Sequence, residues 1–526
     1  MLDQLRCPEK SDDGQTPSLE YLRRRAKELR KAYEAGDAAA RDRIARHPPR
    51  PAGAALKHAD FLHVVAREAG HASWPGLKVA LETAAMDRAA KAERLATALH
   101  LGQHRVADAL LREAPDLAHA DLGLECALYD AAAVRARLAA DPAAATRIVG
   151  ARRPILHLAF SRHWQNGGAE ADMIATAEAL LAAGADVDDG YSVEGGAGHR
   201  LSALYGAIGH ARNLTMARWL LEHGADPDDN ESLYHATEPG SRDGLALLLA
   251  HGADPRGTNA LPRALDFDDY EAVRLLLEAG ADPDEGIAAD PSGAPPRAVP
   301  ALHQAARRMC SGRIAQLLLD HGATPTAEAL GHTPWAFARV YGNRAVARVL
   351  ERAGAATPLS AVEAQLARAA DGKAGERDWI DMAGLSGEMR LLLTRLVWRD
   401  GTLPHMQRLV AMGFDANQTD EMGMPPLQLA GWEGMAEKMA WLLSLAPDLS
   451  HRNGHGGTLF STILHGSANC PNRARRDHVG CMRIALEHGV ALPKAAIEGA
   501  SQPDMAAFLA EWAAARPGQV VEDGIG

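Results

Sequence analysis

Aromatic residues supply only 5% of this 526-residue sequence, so sheets built on aromatic cross-strand pairs are not expected from it. Alanine, leucine, glycine and aspartate crowd the chain instead, which suits closely packed helices and predicts an all-α fold. Cysteine is scarce too. The five residues Cys7, Cys126, Cys310, Cys470 and Cys481 are odd in number, scattered and without a C-x-x-C pair, which argues against a disulfide framework and fits a reducing cytoplasm. No stretch approaches about 18 uncharged apolar residues, and the N-terminal "MLDQLRCPEKSDDGQTP" lacks the apolar core of a signal peptide, so neither spanning nor export is expected. A basic excess is also missing. With 56 Lys and Arg against 68 Asp and Glu, the formal charge is -12, and no general footprint for nucleic acid or an anionic membrane is present. The local run "LRRRAKELRK" at 22–31 has the spacing of a solvated helix face.

The catalytic signatures that a sequence can show are absent as well. There is no G-x-G-x-x-G after a strand, no G-K-[ST] loop, no H-E-x-x-H and no G-x-S-x-G. No cofactor is expected, and the chain is read as non-enzymatic.

A repeat is what the sequence does contain. The stretch "LLLEAGADPDEG" (275–286) returns as "LLEHGADPDDN" (220–230) and "LLAAGADVDDG" (180–190), and its glycine aligns at Gly184, Gly224, Gly252, Gly280, Gly322 and Gly354. Degenerate copies follow at Gly413, at 444–450 and at Gly489. Periods scattering around about 33 residues imply stacked supersecondary units. Each glycine follows an amphipathic helix, such as that of Val273, Leu276 and Leu277, and sits where a left-handed residue ends it. A proline soon after (Pro227, Pro255, Pro283, Pro325) prevents continuation.

Upstream of each lies a shorter helix with a small-residue face. Its expected anchors are Leu156, Leu204, Leu233, Leu261, Leu302 and Leu427, with Ala159, Ala207, Ala236, Ala264, Ala305 and Ala430 allowing close approach. Neither helix can bury its stripe alone, so neighbouring units must stack.

Helix, turn, helix, "LLxxGAD" and a loop into "xPLHxA" resembles the ankyrin repeat over roughly residues 90–515. The resemblance implies an all-α, helix-turn-helix solenoid of about ten stacked repeats. The family's Thr-Pro start survives only as Thr333-Pro334. Its His position holds His157 and His303 but Tyr205, Tyr234, Pro262, Ala336 and Gln428 elsewhere.

Residues 18–88 do not repeat and read as a small helical domain. They contain "LKHADFLHVVAREAGHASWPGLK", which resembles a module found ahead of ankyrin arrays in bacterial proteins. The remaining organisation is expected to be a disordered 1–17, a first sub-array over 90–357 and a degenerate repeat or joint over 358–386. A second sub-array with a C-terminal cap over 387–515 and a disordered tail over 516–526 complete it.

Candidate chemistry is thin. His223, His251, His321 and His488 precede a helix-ending glycine, where an imidazole meets the negative end of the helix. The metal-site candidate is His465, Cys470, His478 and Cys481 within 451–488, although zinc would want tight ligand pairs and Cys481 aligns with a packing position. It supports the alternative function, a metal-dependent hydrolase or metal-binding protein. A Cys310 nucleophile near His303 is a weaker reading, since His303 holds the regular His position.

The leading reading is a protein-protein interaction scaffold binding another protein through its concave face and finger loops. Trp164, Tyr191, Tyr205, Tyr234, Phe267, Trp335 and Trp432 are its candidate contact residues. The loop acids (Asp186, Asp188, Asp189; Asp226, Asp228, Asp229; Asp282, Asp284, Glu285) favour a basic partner surface. Insertions at 161–171, 188–200, 286–300 and 466–477 are expected as surface loops.

Overall fold

The computed structural model describes residues 19–50, 56–84, 86–192, 200–238, 242–285, 299–373 and 378–521. The expected disordered segment 1–17, most of the inserted loops 188–200 and 286–300, and the end of the tail lie outside the described residues. The chain divides into two compact units, Met1–Ser232 and Leu233–Gly526.

The first unit opens with four helices, Leu19–Glu34, Ala38–Arg46, His58–Glu68 and Trp74–Thr83. Ser73 starts the last of them by accepting the Gly76 N–H at 3.3 Å. Leu22, Leu29, Phe61, Val64 and Leu77 close a core of their own. The basic run 22–31 lies along the first helix, where Arg25 and Arg30 meet Glu68 and Glu34. This is the solvated face its spacing predicted.

Helix pairs then follow in both units, in the order that the leucine and glycine periodicity requires. All six predicted leucine anchors and all six alanines of the shorter helices are buried, none more than 5% exposed. The longer helices bury their stripes, as Leu276 and Val273 do in Tyr270–Glu278. Gly280 has φ +96° with open space around its α-carbon. The chain turns there, and the Ala281 N–H returns to the Leu276 carbonyl at 3.0 Å. The same bond recurs from Ala225 to Leu220, Ala253 to Leu248 and Ala323 to Leu318. Such a bond satisfies a carbonyl that the end of a helix leaves free.

Two sets of capping bonds set the register between helices. Asn213, Asp269, Asn343 and Asp477 each accept a backbone N–H three residues on, starting a longer helix. Asn343 also donates to the Ala305 and Cys310 carbonyls, tying its helix to the preceding pair. At the far ends, His223, His251, His321 and His488 bond the carbonyl four residues back at 2.7–3.0 Å. These imidazoles finish helices, as expected from their place before the glycine.

The stretch read as a joint is integrated into the second unit. The helix Ala361–Ala370 packs on Pro334–Tyr341 and Leu403–Ala411, and the Ile380 N–H bonds the Met412 carbonyl. The next short helix is broken into Gly387–Arg390 and Leu392–Leu396. The division between the two compact units falls at 232/233.

The few strands are short. Gly190–Ser192 pairs antiparallel with Arg200–Ser202, and Leu492–Pro493 pairs parallel with Val520–Val521. Residues 516–521, expected to begin a disordered tail, instead form a 3-10 turn and this last strand. Gln519 fixes them by donating to the Val490 carbonyl at 2.9 Å. No helix among the described residues is long and apolar enough to cross a membrane.

Candidate partner-binding surface

The seven predicted contact aromatics are all half-buried, and most are held by their own chain. The Trp164 indole N–H donates to the Ala211 carbonyl at 3.1 Å. Tyr191 and Tyr205 stand edge-on to Phe160, with ring centroids 5.6 and 5.9 Å away. The Arg152 guanidinium lies over Phe160 and Tyr191 at 5.0 and 4.7 Å and donates to the His100 ring at 2.9 Å. The His100 ring stacks on His210 at 4.1 Å. Burial, with the neighbouring cations, pushes His100 down to about 3 and His210 to about 4. Both imidazoles are neutral near pH 7, so the patch carries its charge on arginine.

In the second unit Arg263 lies over both Tyr234 and Phe267, at 5.3 and 4.6 Å. Arg339 lies 5.5 Å from the Trp335 ring, whose N–H has no partner among the described residues. Trp432 faces His465 at 5.2 Å. Of these seven aromatics, Phe267 also lines a cavity.

That cavity, of about 700 Å³, is walled by the turns at Asp266–Asp269, Trp398–Asp400 and 471–476, with Arg242 beside them. These turns join the first helix of a pair to the second, so the cavity lies at the opposite end of the helices from the finger loops. The predicted insertion 466–477 supplies one wall. Sequence reasoning missed Trp398 and Arg399, which stand just past a broken helix where periodicity gives no cue. It also missed Trp379, which is 69% exposed and packs one side against Gly413.

The finger-loop acids are turn builders. Asp282 accepts the Asp284 N–H at 2.9 Å, and Asp284 reaches to the next loop to accept the Thr324 N–H at 3.0 Å. Asp186 and Asp188 repeat the device toward Asp226, whose N–H Asp188 accepts at 2.6 Å. Asp189 pairs with Arg153 at 2.6 Å, and Asp229 accepts from Ser202 and the Ser232 N–H. Their chemistry is that of Asx turns and loop-to-loop braces.

The structure does not assemble the His and Cys candidates into a metal centre. His465 is exposed and bonded to Asn469, His478 is held at the Trp432 carbonyl at 2.8 Å, and Cys481 is buried against Ala430. Cys470 is buried at the end of Leu459–Asn469, where burial pushes its thiol up to about 11. No group of three or more His, Cys, Asp or Glu among the described residues is placed to hold a metal ion. Cys310 is equally unsuited to attack. Its thiol donates to the Leu265 carbonyl and burial raises its pKa, while His303 is fully buried and bonded to the His332 carbonyl. A reactive thiol needs the opposite environment.

Residues 211–287 match the family model of ankyrin repeats, described as three copies. The chain contains ankyrin repeats at 211–287. Among solved structures it is similar to the human ASB11 ankyrin repeat domain, at 15% identity over 49% of this chain and 96% of that one, with a TM-score of 0.21. None of the curated proteins compared matches the chain. Gln428 donates to the His451 carbonyl at 3.0 Å, as His303 does to the His332 carbonyl at 2.9 Å, so in one helix an amide makes the bond to the following loop that an imidazole makes in another.

Proposed function

We propose that this ankyrin array is a cytoplasmic, non-enzymatic scaffold that binds another protein. The observation that carries the reading is the repeat itself, three copies of which the family model matches at 211–287. Stacked helix pairs present an extended surface, and their second-helix leucines are consumed by packing, which leaves the shorter helices and the turns for contact. The free cysteines of the described residues, Cys126, Cys310, Cys470 and Cys481, are all buried, which suits a reducing compartment. The loop acids contribute field more than contact, because turns and braces already occupy many of their oxygens. They steer a basic partner surface and quicken encounter rather than hold it. A metal-hydrolase reading has no comparable support, since His478 and Cys481 are already engaged in packing and backbone bonds.

Cross-linking of the chain to its partner in native extract, read by mass spectrometry, tests this. Cross-links should fall on the shorter helices and the turns between helices. A metal-dependent hydrolytic activity that co-purifies with the chain and disappears in Cys481→Ser overturns it.

A further inference from the structure

The cavity walled by Trp398–Asp400 has an uneven charge account. Four arginines and five aspartates line it; three of the aspartates are in ion pairs, and Asp243 is exposed to solvent. Asp269 pairs with Arg242 at 2.9 Å and Asp400 with Arg476 at 2.5 Å. Asp266 is held by Arg308 at 2.7 Å and by the Gln304 amide, and Asp268 accepts the Ser311 N–H.

Two of the arginines are not matched in this way. Arg399 spends one nitrogen on the Asp266 carbonyl at 3.1 Å, and its Nε is buried without a hydrogen-bond partner. Among the described residues no carboxylate forms an ion pair with Arg399 or with Arg475, and Arg475 is exposed. Burial and the neighbouring Arg308 disfavour the Arg399 charge, and the nearby Asp266 and Asp268 offset this only in part. A guanidinium in that position gains from any carboxylate brought to it, because an unmatched buried charge is expensive. Phe267 and Trp398 supply apolar wall beside it.

We propose that this cavity anchors an acidic side chain of a partner's extended segment, the carboxylate meeting Arg399 with Arg475 at the mouth and flanking apolar groups against Trp398 and Phe267. The proposal rests on the scaffold reading. A small organic ligand fits less well, since such sites are mostly apolar and enclose their ligand, whereas this wall is charged and assembled from the turns of three repeats. Arg is the side chain suited to the task, its planar fork matching two carboxylate oxygens.

The test uses the full chain and a fluorescent, end-capped peptide alternating glutamate with leucine, beside its glutamine counterpart. The glutamate peptide should bind at least about tenfold more tightly, the scale of hydrogen bonds to a charged group. Arg475→Glu, at an exposed position that folding does not need, should weaken it by a similar factor. Arg399→Met should do the same with the unfolding midpoint checked in parallel. Equal binding of the two peptides overturns the proposal, as does unchanged binding in Arg475→Glu. A single-stranded oligonucleotide that binds more tightly than the peptide also overturns it and makes the pocket a phosphate site. A natural partner still captured by Arg475→Glu, with no difference between the peptides, leaves the scaffold standing and removes the pocket. No captured partner and no peptide binding removes both.

Discussion

Two stretches of the second unit solve the same packing problem with different materials. In 242–285 the helices bury leucines, and short Asx turns and glycine stops supply the polar part. In 361–402 the helices are interrupted, and a buried ionic network is added to their leucines. Glu388, 7% exposed, accepts from the Tyr341 hydroxyl at 2.7 Å and from Arg307 at 3.1 Å, with Arg395 at 3.7 Å. Burial pushes its carboxyl up, but Arg307 and Arg395 outweigh that and hold it below the usual carboxylate range. Nearby, Lys438 donates from its buried ammonium to the Leu396, Val397 and Arg399 carbonyls and to Thr402. This stretch buries Leu366, Leu392, Leu393 and Leu396 as well, but its broken helices lack the regular glycine stops, and paired charges help to fix its position. Such networks set register more readily than they add stability.

The largest expected effect breaks that contrast at its centre. Glu388→Ala leaves Arg307 buried without a carboxylate and Arg395 with Glu421 alone, and should cost about 3–5 kcal/mol in urea unfolding. Replacing Arg307, Glu388 and Arg395 together by apolar residues of similar volume should recover most of this. If the triple variant is as unstable as Glu388→Ala, the network is a source of stability and the comparison fails. In the regular stretch Leu276→Ala should cost about 2–5 kcal/mol by cavity formation, with no such rescue.

The contrast also marks what the sequence could reveal. Leu276, Gly280 and the alanine faces are legible because burial of a periodic stripe is local and repeated. The histidines before the glycines are legible for the same reason. Glu388 is not, because its partners Arg307 and Tyr341 lie 81 and 47 residues away and no period links them. Aromatic residues carry no period of their own. Type alone does not distinguish Tyr191, which supports Arg152, from Trp379, which is exposed. Arg399 became visible only when the carboxylates around it could be assigned to other partners.

A smaller effect concerns acid. Burial pushes His303 from 6.5 to about 4. Above 6.5 both folded and unfolded forms are neutral there. Below it the unfolded chain takes a proton that the folded chain refuses, so stability falls as pH drops from 6.5 toward 4. His303→Gln should keep the bond to His332, as Gln428 does to His451, and remove about 2–3 kcal/mol of that acid loss while changing little at pH 7. A variant as acid-labile as the parent excludes His303 as a source of the loss. His405, pushed down to about 3, titrates in the same direction and is the natural second substitution.

The smallest effect separates the two roles of the acidic loops. Asp284 accepts the Thr324 N–H and hydroxyl across consecutive loops, and its neighbours sustain the local negative field. Asp284→Ala removes the brace and should cost about 1 kcal/mol, modest because water reaches the freed groups. Asp284→Asn keeps an acceptor and removes the charge, so its unfolding midpoint should stay near that of the parent. If the loops act on a partner by field, Asp284→Asn should nonetheless slow association at low salt and leave dissociation unchanged. An Asn variant as unstable as the Ala variant shows that the brace depends on charge. The loop's acidity would then be a requirement of folding and carry no information about the partner.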